Sequence, residues 1–216
     1  PGRGIYDNMK TAVDRVGRGK QRDVNARFKA MASHYGIKSG DRILDVGCGW
    51  KKVEGAVSVD IRTRTEPDVC CDMDVDGRSI HFPFRNDAFD EVHILQTIDH
   101  FRNIVPVMEE VHRVARPGGK VVIPVAPVSS IYSWSDPVHH LHLTSRSFLC
   151  FTDHPTRGGV YTAPLFRQKA FHFIFGRSVI SLIPRLICAL SPWVYEKHFS
   201  WTFPANDMHF EFEVLK

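Results

Sequence analysis

Two groups of side chains in this sequence have the types and spacing that chemistry needs. The first combines carboxylates with glycines: Asp45, Gly47 and Gly49 in "LDVGCG", Asp60 in "GAVSVDI" and Asp72 in "CDMD". Glycines after an apolar strand let backbone approach a ligand closely. A carboxylate at a strand end can accept hydrogen bonds from both hydroxyls of a ribose. The second group is a set of histidines: His100 beside Asp99, then His139, His140 and His142 with Asp136 in "SDPVHHLHLTSRSF". An imidazole with a near-neutral pKa can take the proton of an alcohol. The same histidines admit a plainer role, bonding backbone around a cap at Thr144 with Phe148 anchored in the core. Zinc is a third reading. Adjacent His139 and His140 point to opposite faces of an extended chain, however, and no metal is expected.

These groups need a scaffold, and the chain supplies alternating strands and helices. Buried strands are expected in "DRILDVG", "GAVSVDI", "PDVCCDMD" and "FDEVHILQTI". "VNARFKAMASHYG" reads as a helix that stops at Gly36. "NIVPVMEEVHRVARPGG" reads as another, with Pro106 near its first turn and Val105, Met108, Val111, His112 and Ala115 at helical spacing. "KVVIPVAP" is apolar on both faces, as a central parallel strand should be. "KAFHFIFG" and "MHFEFEVLK" alternate apolar with polar and should pair antiparallel at one edge.

The glycine turn is not that of a dinucleotide-binding fold, because Lys52 stands where the third glycine belongs. Asp60 also follows Gly49 too soon for a long intervening helix. "LDVGCG" instead resembles the first motif of class I S-adenosylmethionine (SAM)-dependent methyltransferases. "CDMDVDGRSIHFPFRNDAFDEV", "LQTIDHF" and "VARPGGKVVIPVAP" resemble later motifs of that family in the same order, so the resemblance spans about residues 30–150. "GWKKVEGAVSVDI" is similar to a subgroup in which a lysine-rich loop replaces most of the first helix. The resemblance implies that Asp45, Gly47 and Gly49 surround the amino-acid end of SAM, with Cys48 between the glycines and Trp50 either closing over the site or packing its loop onto the sheet. It also implies that Asp60 and Ile61 hold the ribose, that Asp72 and Met73 border the adenine, and that Gln96 lies nearby. S-Adenosylhomocysteine would be the product. His100 and His139 are then the candidate bases for O-methylation of a small molecule or saccharide, with His140 and His142 behind them. N-Methylation of a small amine and a methyltransferase-like fold that binds without catalysis stay open.

The fold class expected is α/β: a three-layer, Rossmann-like doubly wound sheet of about seven strands, the last antiparallel, plus a C-terminal helical cap. Residues 1–30 would form a basic arm or lid and residues 31–216 a single domain, with 177–206 a cap inserted between the last two strands. At 43% hydrophobic and 24% charged residues the chain can bury a full core. Its net charge of +4 demands no acidic partner. The basic arm is interrupted by Asp7, Asp14 and Asp23, and "QTID" lacks the proline-rich turn of nucleic-acid amino-methylating enzymes. Nucleic acid is therefore not expected as acceptor. The start "PGRGIYDNMK" has no apolar run and no initiator Met, which suggests a trimmed chain without a secretory signal. Five cysteines without a CxxC pair suit a reduced, cytoplasmic setting. The cap mixes aliphatic runs with Arg177, Arg185, Lys197, Trp193 and Trp201, a composition that fits burial as a cap or interface and also peripheral membrane contact.

Overall fold

The computed structural model describes residues 42–73 and 81–216, together with the backbone of two short antiparallel strands, Val13–Val16 and Arg22–Val24. The helix expected over "VNARFKAMASHYG" and most of the N-terminal arm lie outside the described residues. Seven strands form the main sheet: β1 (Ile43–Val46), β2 (Val57–Asp60), β3 (Val69–Cys70), β4 (Phe89–His93), β5 (Ala115–Val125), β6 (Phe166–Ile174) and β7 (Asp207–Val214). Their order across the sheet is β3-β2-β1-β4-β5-β7-β6. The first five run parallel, and β7 is antiparallel to both β5 and β6.

Each strand's sequence explains its place. "VSVD" of β2 is buried along its whole length, as a strand covered on both faces must be. β7 alternates: Met208, Phe210, Phe212 and Val214 are buried, while Asp207, His209, Glu211 and Glu213 stay partly exposed. Helix α1 (Ile104–Val114) begins at Asn103, whose side chain accepts the Val105 amide at 3.0 Å. Its buried stripe runs through Val107, Met108, Val111 and Val114. The sequence pattern placed Met108 and Val111 on that face, but Val105 and His112 are only partly buried and the buried Ala115 already belongs to β5. The helix stops there because Pro117 disfavours helical backbone at the residue before it.

Glu110 and Arg113 on α1 hold the segment before β4. Glu110 accepts the Phe82 amide at 2.7 Å, and Arg113 bonds Glu110, the carbonyls of Phe82 and Phe84, and Asn86. Between β1 and β2, residues 47–56 contain no helix at all, and parallel strands are usually joined by a longer, helical crossover.

A one-turn helix α2 (Tyr132–Ser135) follows β5, and the insert between β6 and β7 carries α3 (Leu182–Leu190) and α4 (Pro192–His198). Ser191 caps α4 and Pro192 opens it. Tyr195 is fully buried, donates to the Phe203 carbonyl at 2.8 Å and packs against Phe173 and Phe175. α3 buries little: Leu182 and Leu186 are exposed and Leu190 is 83% exposed. Its outward face thus does not pack on the domain. Among the described residues no helix is long and apolar enough to cross a membrane.

Burial pushes the Tyr195 phenol up from 10 to about 12. The unfolded chain therefore releases this proton near pH 10 while the folded chain keeps it, so the phenol's contribution to stability is complete below pH 10 and lost between pH 10 and 12. Tyr195→Phe should cost about 1 kcal/mol at neutral pH through the lost hydrogen bond. It should also reduce the fall in urea midpoint between pH 10 and 12. An unchanged alkaline slope would show that Tyr195 titrates normally.

Candidate active site

The order of strands reverses between β1 and β4, and in open α/β sheets ligands bind outside the carboxyl ends at that point. A cavity of about 1150 Å³ lies there. Of the residues expected to hold a cofactor, Gly47, Cys48, Gly49, Trp50, Asp60, Ile61, Asp72, Met73 and Gln96 line it. Asp45 does not. It is fully buried, and its Oδ2 accepts the Val53 amide at 2.9 Å, which folds the short crossover over the end of β1. Burial pushes its carboxyl up from the usual range, with the Val53 amide opposing.

Backbone amides of the glycine turn go to protein rather than to the cavity. Gly47 and Cys48 both donate to the Val59 carbonyl, at 2.8 and 3.2 Å. Gly49 donates to Asp60 Oδ2 at 2.9 Å, and Arg62 donates to Asp60 Oδ1 at 2.7 Å. Each Asp60 oxygen has one amide partner and keeps a further lone pair for a ligand hydroxyl. Gly47 has φ +68°, and a Cβ there would lie 2.1 Å from Thr97 Cγ2. Thr97 Oγ1 in turn bonds the Gly47 carbonyl at 3.0 Å. This contact joins the turn after β1 to the segment after β4.

That segment supplies most of what sequence reasoning missed. Leu95, Thr97, Phe101 and Arg102 line the cavity around the expected Gln96 and His100, and Arg62 and Val138 add to the wall. Adjacency to Gln96 and His100 after an apolar strand was the available signal for the first four. Gln96 takes a left-handed conformation (φ +52°) and donates through Nε2 to Asp207 Oδ1 at 2.8 Å, tying the cavity wall to the start of β7. Trp50 is 76% exposed at the rim, so its ring does not pack onto the sheet.

The histidines divide. His100 and His140 line the cavity. His139 lies behind His100, its ring edge-to-face at 4.6 Å, and its Nε2 faces Asp99 Oδ2 at 3.5 Å. His142 stacks on Trp134 at 3.6 Å and bonds Ser133 Oγ, which is a packing role. Asp136 caps its own turn by accepting the Val138 amide. Burial pushes the His100 imidazole down, with Asp99 pulling it back and His139 pushing it further down. The lowered pKa keeps it neutral at pH 7.

Comparison with known proteins agrees with this geometry. Residues 44–123 match the methyltransferase domain family. The chain is 28% identical over 128 residues to sterol 24-C-methyltransferase erg6 of Schizosaccharomyces pombe, covering 50% of this chain and 34% of that protein. A 52-residue stretch is 62% identical to a transposase of Aminobacter aminovorans, covering 24% of this chain. The chain thus spans about a tenth of the length of the transposase and a third of the sterol enzyme. The YcgJ protein of Bacillus subtilis superposes with TM-score 0.51 at 13% identity, over 87% of this chain and 97% of that one. A Haemonchus contortus phosphoethanolamine N-methyltransferase bound to S-adenosylhomocysteine superposes with TM-score 0.51 at 17% identity, over 88% and 52%.

Gly47→Ala should destabilise the fold by about 2 kcal/mol or more, since it combines left-handed strain with overpacking against Thr97. Urea unfolding measures this. A loss under about 0.5 kcal/mol would show that the turn can move away from Thr97.

Proposed function

We propose, on the match of residues 44–123 to the methyltransferase domain family, that the protein moves the SAM methyl group to a hydroxyl of a small-molecule or saccharide acceptor. The observation that carries this reading is the placing of two kinds of chemistry in one cavity. Asp60 and Asp72 line one part of it, and His100 and His140 line another. SAM, when bound, supplies a methyl group on a sulfonium leaving group. The residues assigned to hold it are Gly47, Cys48, Gly49, Trp50, Asp60, Ile61, Asp72, Met73 and Gln96. Asp60, with its two amide partners, is aimed to accept the ribose hydroxyls. Asp45 acts indirectly by fixing the crossover.

Transfer is a direct displacement: a carbon–oxygen bond forms as the carbon–sulfur bond breaks, and the hydroxyl gives up its proton. The protein's task is alignment and activation of that hydroxyl. We assign activation to the cluster of Asp99, His100 and His139, with His100 the member that reaches the cavity. The chain divides, in this proposal, into an arm at residues 1–30 and one methyltransferase domain at 31–216 with its cap at 177–206.

Calorimetry with SAM, S-adenosylhomocysteine and NAD tests the reading. SAM and its product should bind and NAD should not. Asp60→Asn should weaken SAM at least about ten-fold, because a hydrogen bond to a charged acceptor contributes about 1.5–3 kcal/mol. Binding of NAD, or equal SAM affinity in the variant, would contradict the assignment.

A further inference from the structure

We propose, resting on the reading of the cavity as the methyl-transfer site, that Asp99, His100 and His139 hold a divalent transition-metal cation at its edge. The facing atoms of His139 and Asp99 lead to this. His139 Nδ1 lies 3.1 Å from the Ser133 carbonyl oxygen. A carbonyl only accepts, so Nδ1 carries the ring proton and Nε2 of the neutral ring presents a lone pair. That lone pair faces a carboxylate oxygen, Asp99 Oδ2, at 3.5 Å. Two acceptors opposed in a buried place repel unless a positive charge lies between them. A shared proton would draw them to about 2.7–2.9 Å. Two ligands of one tetrahedral zinc, each about 2.0–2.1 Å from the ion, stand about 3.4 Å apart. The observed spacing is that of co-ligands.

The surroundings agree. Ligand atoms of Asp99, His100 and His139 all lie within 4.8 Å of one another, so a small side-chain movement brings the three onto one ion. Asp99 is 2% exposed, and its Oδ1 has no hydrogen-bond partner among the described residues. Leaving a buried carboxylate so poorly paired is costly without a further cation or ligand. The Asp99 carbonyl accepts from the amides of His140 and Leu141, at 2.8 and 3.1 Å, which fixes the His139 loop against the turn that bears Asp99 and His100. The bond from His139 Nδ1 to a backbone carbonyl is the support that metal-bound histidines commonly have. Two imidazoles and one carboxylate suit zinc, iron(II), manganese(II) or cobalt(II). Three protein ligands leave a position for the acceptor, and His100 brings the set to the cavity wall.

A hydroxyl bound at that position becomes more acidic and releases its proton to solvent. Its oxygen then takes the methyl carbon, and the carbon–sulfur electron pair returns to sulfur, leaving neutral S-adenosylhomocysteine. The ligand set differs from the one the sequence suggested, since His142 is committed to Trp134 and Ser133.

The test uses the full chain, stripped with a chelator and dialysed, then titrated with Zn²⁺ or Mn²⁺ alone in a calorimeter. One ion per chain should bind. Asp99→Asn and His139→Gln should each weaken it at least about ten-fold. Should Asp99→Asn fail to fold by circular dichroism, His139→Gln and His100→Gln carry the comparison. Absence of binding to the stripped wild type would overturn the site, and so would equal binding in every folded variant, which would put the ion on cysteine thiols. SAM titrated into the same stripped sample separates the two readings. SAM binding without metal binding ends the metal proposal alone, whereas loss of SAM binding by the stripped, folded wild type counts against the cavity's role in methyl transfer.

Discussion

Residues 47–56 must carry the chain from β1 to β2 without a helix, and backbone amides bonded to buried acceptors are what make this work. Val53 donates to Asp45, Gly49 and Arg62 donate to Asp60, and Gly47 and Cys48 share the Val59 carbonyl. A helix would have satisfied those amides internally and offered its N-terminus to a ligand. Here the carboxylates do the first task, and the second is given up. The pocket's polarity on this side therefore comes from carboxylate oxygens rather than from exposed amides. Those oxygens suit the hydroxyls of a diol. The same bonds make the turn rigid, because Asp45 is inaccessible and Gly47 is held against Thr97.

Thr97 transmits this constraint across the switch point. Its hydroxyl reaches the Gly47 carbonyl, and the short 3-10 turn Ile98–His100 follows directly. The placement of His100 is thus coupled to the turn after β1. From there Asp99 gathers the His139–Leu141 loop through two amides. The cap joins on the far side, where Glu196 accepts from the amide and hydroxyl of Ser145 and Asp207 receives Gln96. The turn after β1, the segment after β4 and the His139–Leu141 loop are thus fixed to one another beside one cavity, each by one or two hydrogen bonds. Misplacement at one of them should be felt at the others.

The parallel strands were legible as short runs rich in Val, Ile and Leu, as in "RILDVG", "GAVSVDI" and "KVVIPVAP". The final antiparallel pair was legible from the period-two pattern of "MHFEFEVLK". The missing first helix could be read from the short distance between Gly49 and Asp60. Met108 and Val111 of α1 were legible from periodicity, but periodicity alone does not show that Pro117 ends the helix early enough to give Ala115 to β5. Most expected cofactor residues line the cavity, since strand-end acids and glycines report their own position. Asp45 was visible as a residue type, but its inward rotamer is set by the Val53 amide, which no spacing rule reveals. The partnership of Asp99 with His139 joins segments far apart in the chain, so neither local pattern contained it.

The most direct test of the account is a crystal structure with S-adenosylhomocysteine bound. The expected result puts both ribose hydroxyls on Asp60, the adenine between Ile61 and Met73 near Asp72, and the sulfur turned toward His100. A ligand that sits away from Asp60, or whose sulfur faces away from the Asp99–His100–His139 cluster, would contradict the joining of cofactor and acceptor chemistry in this cavity.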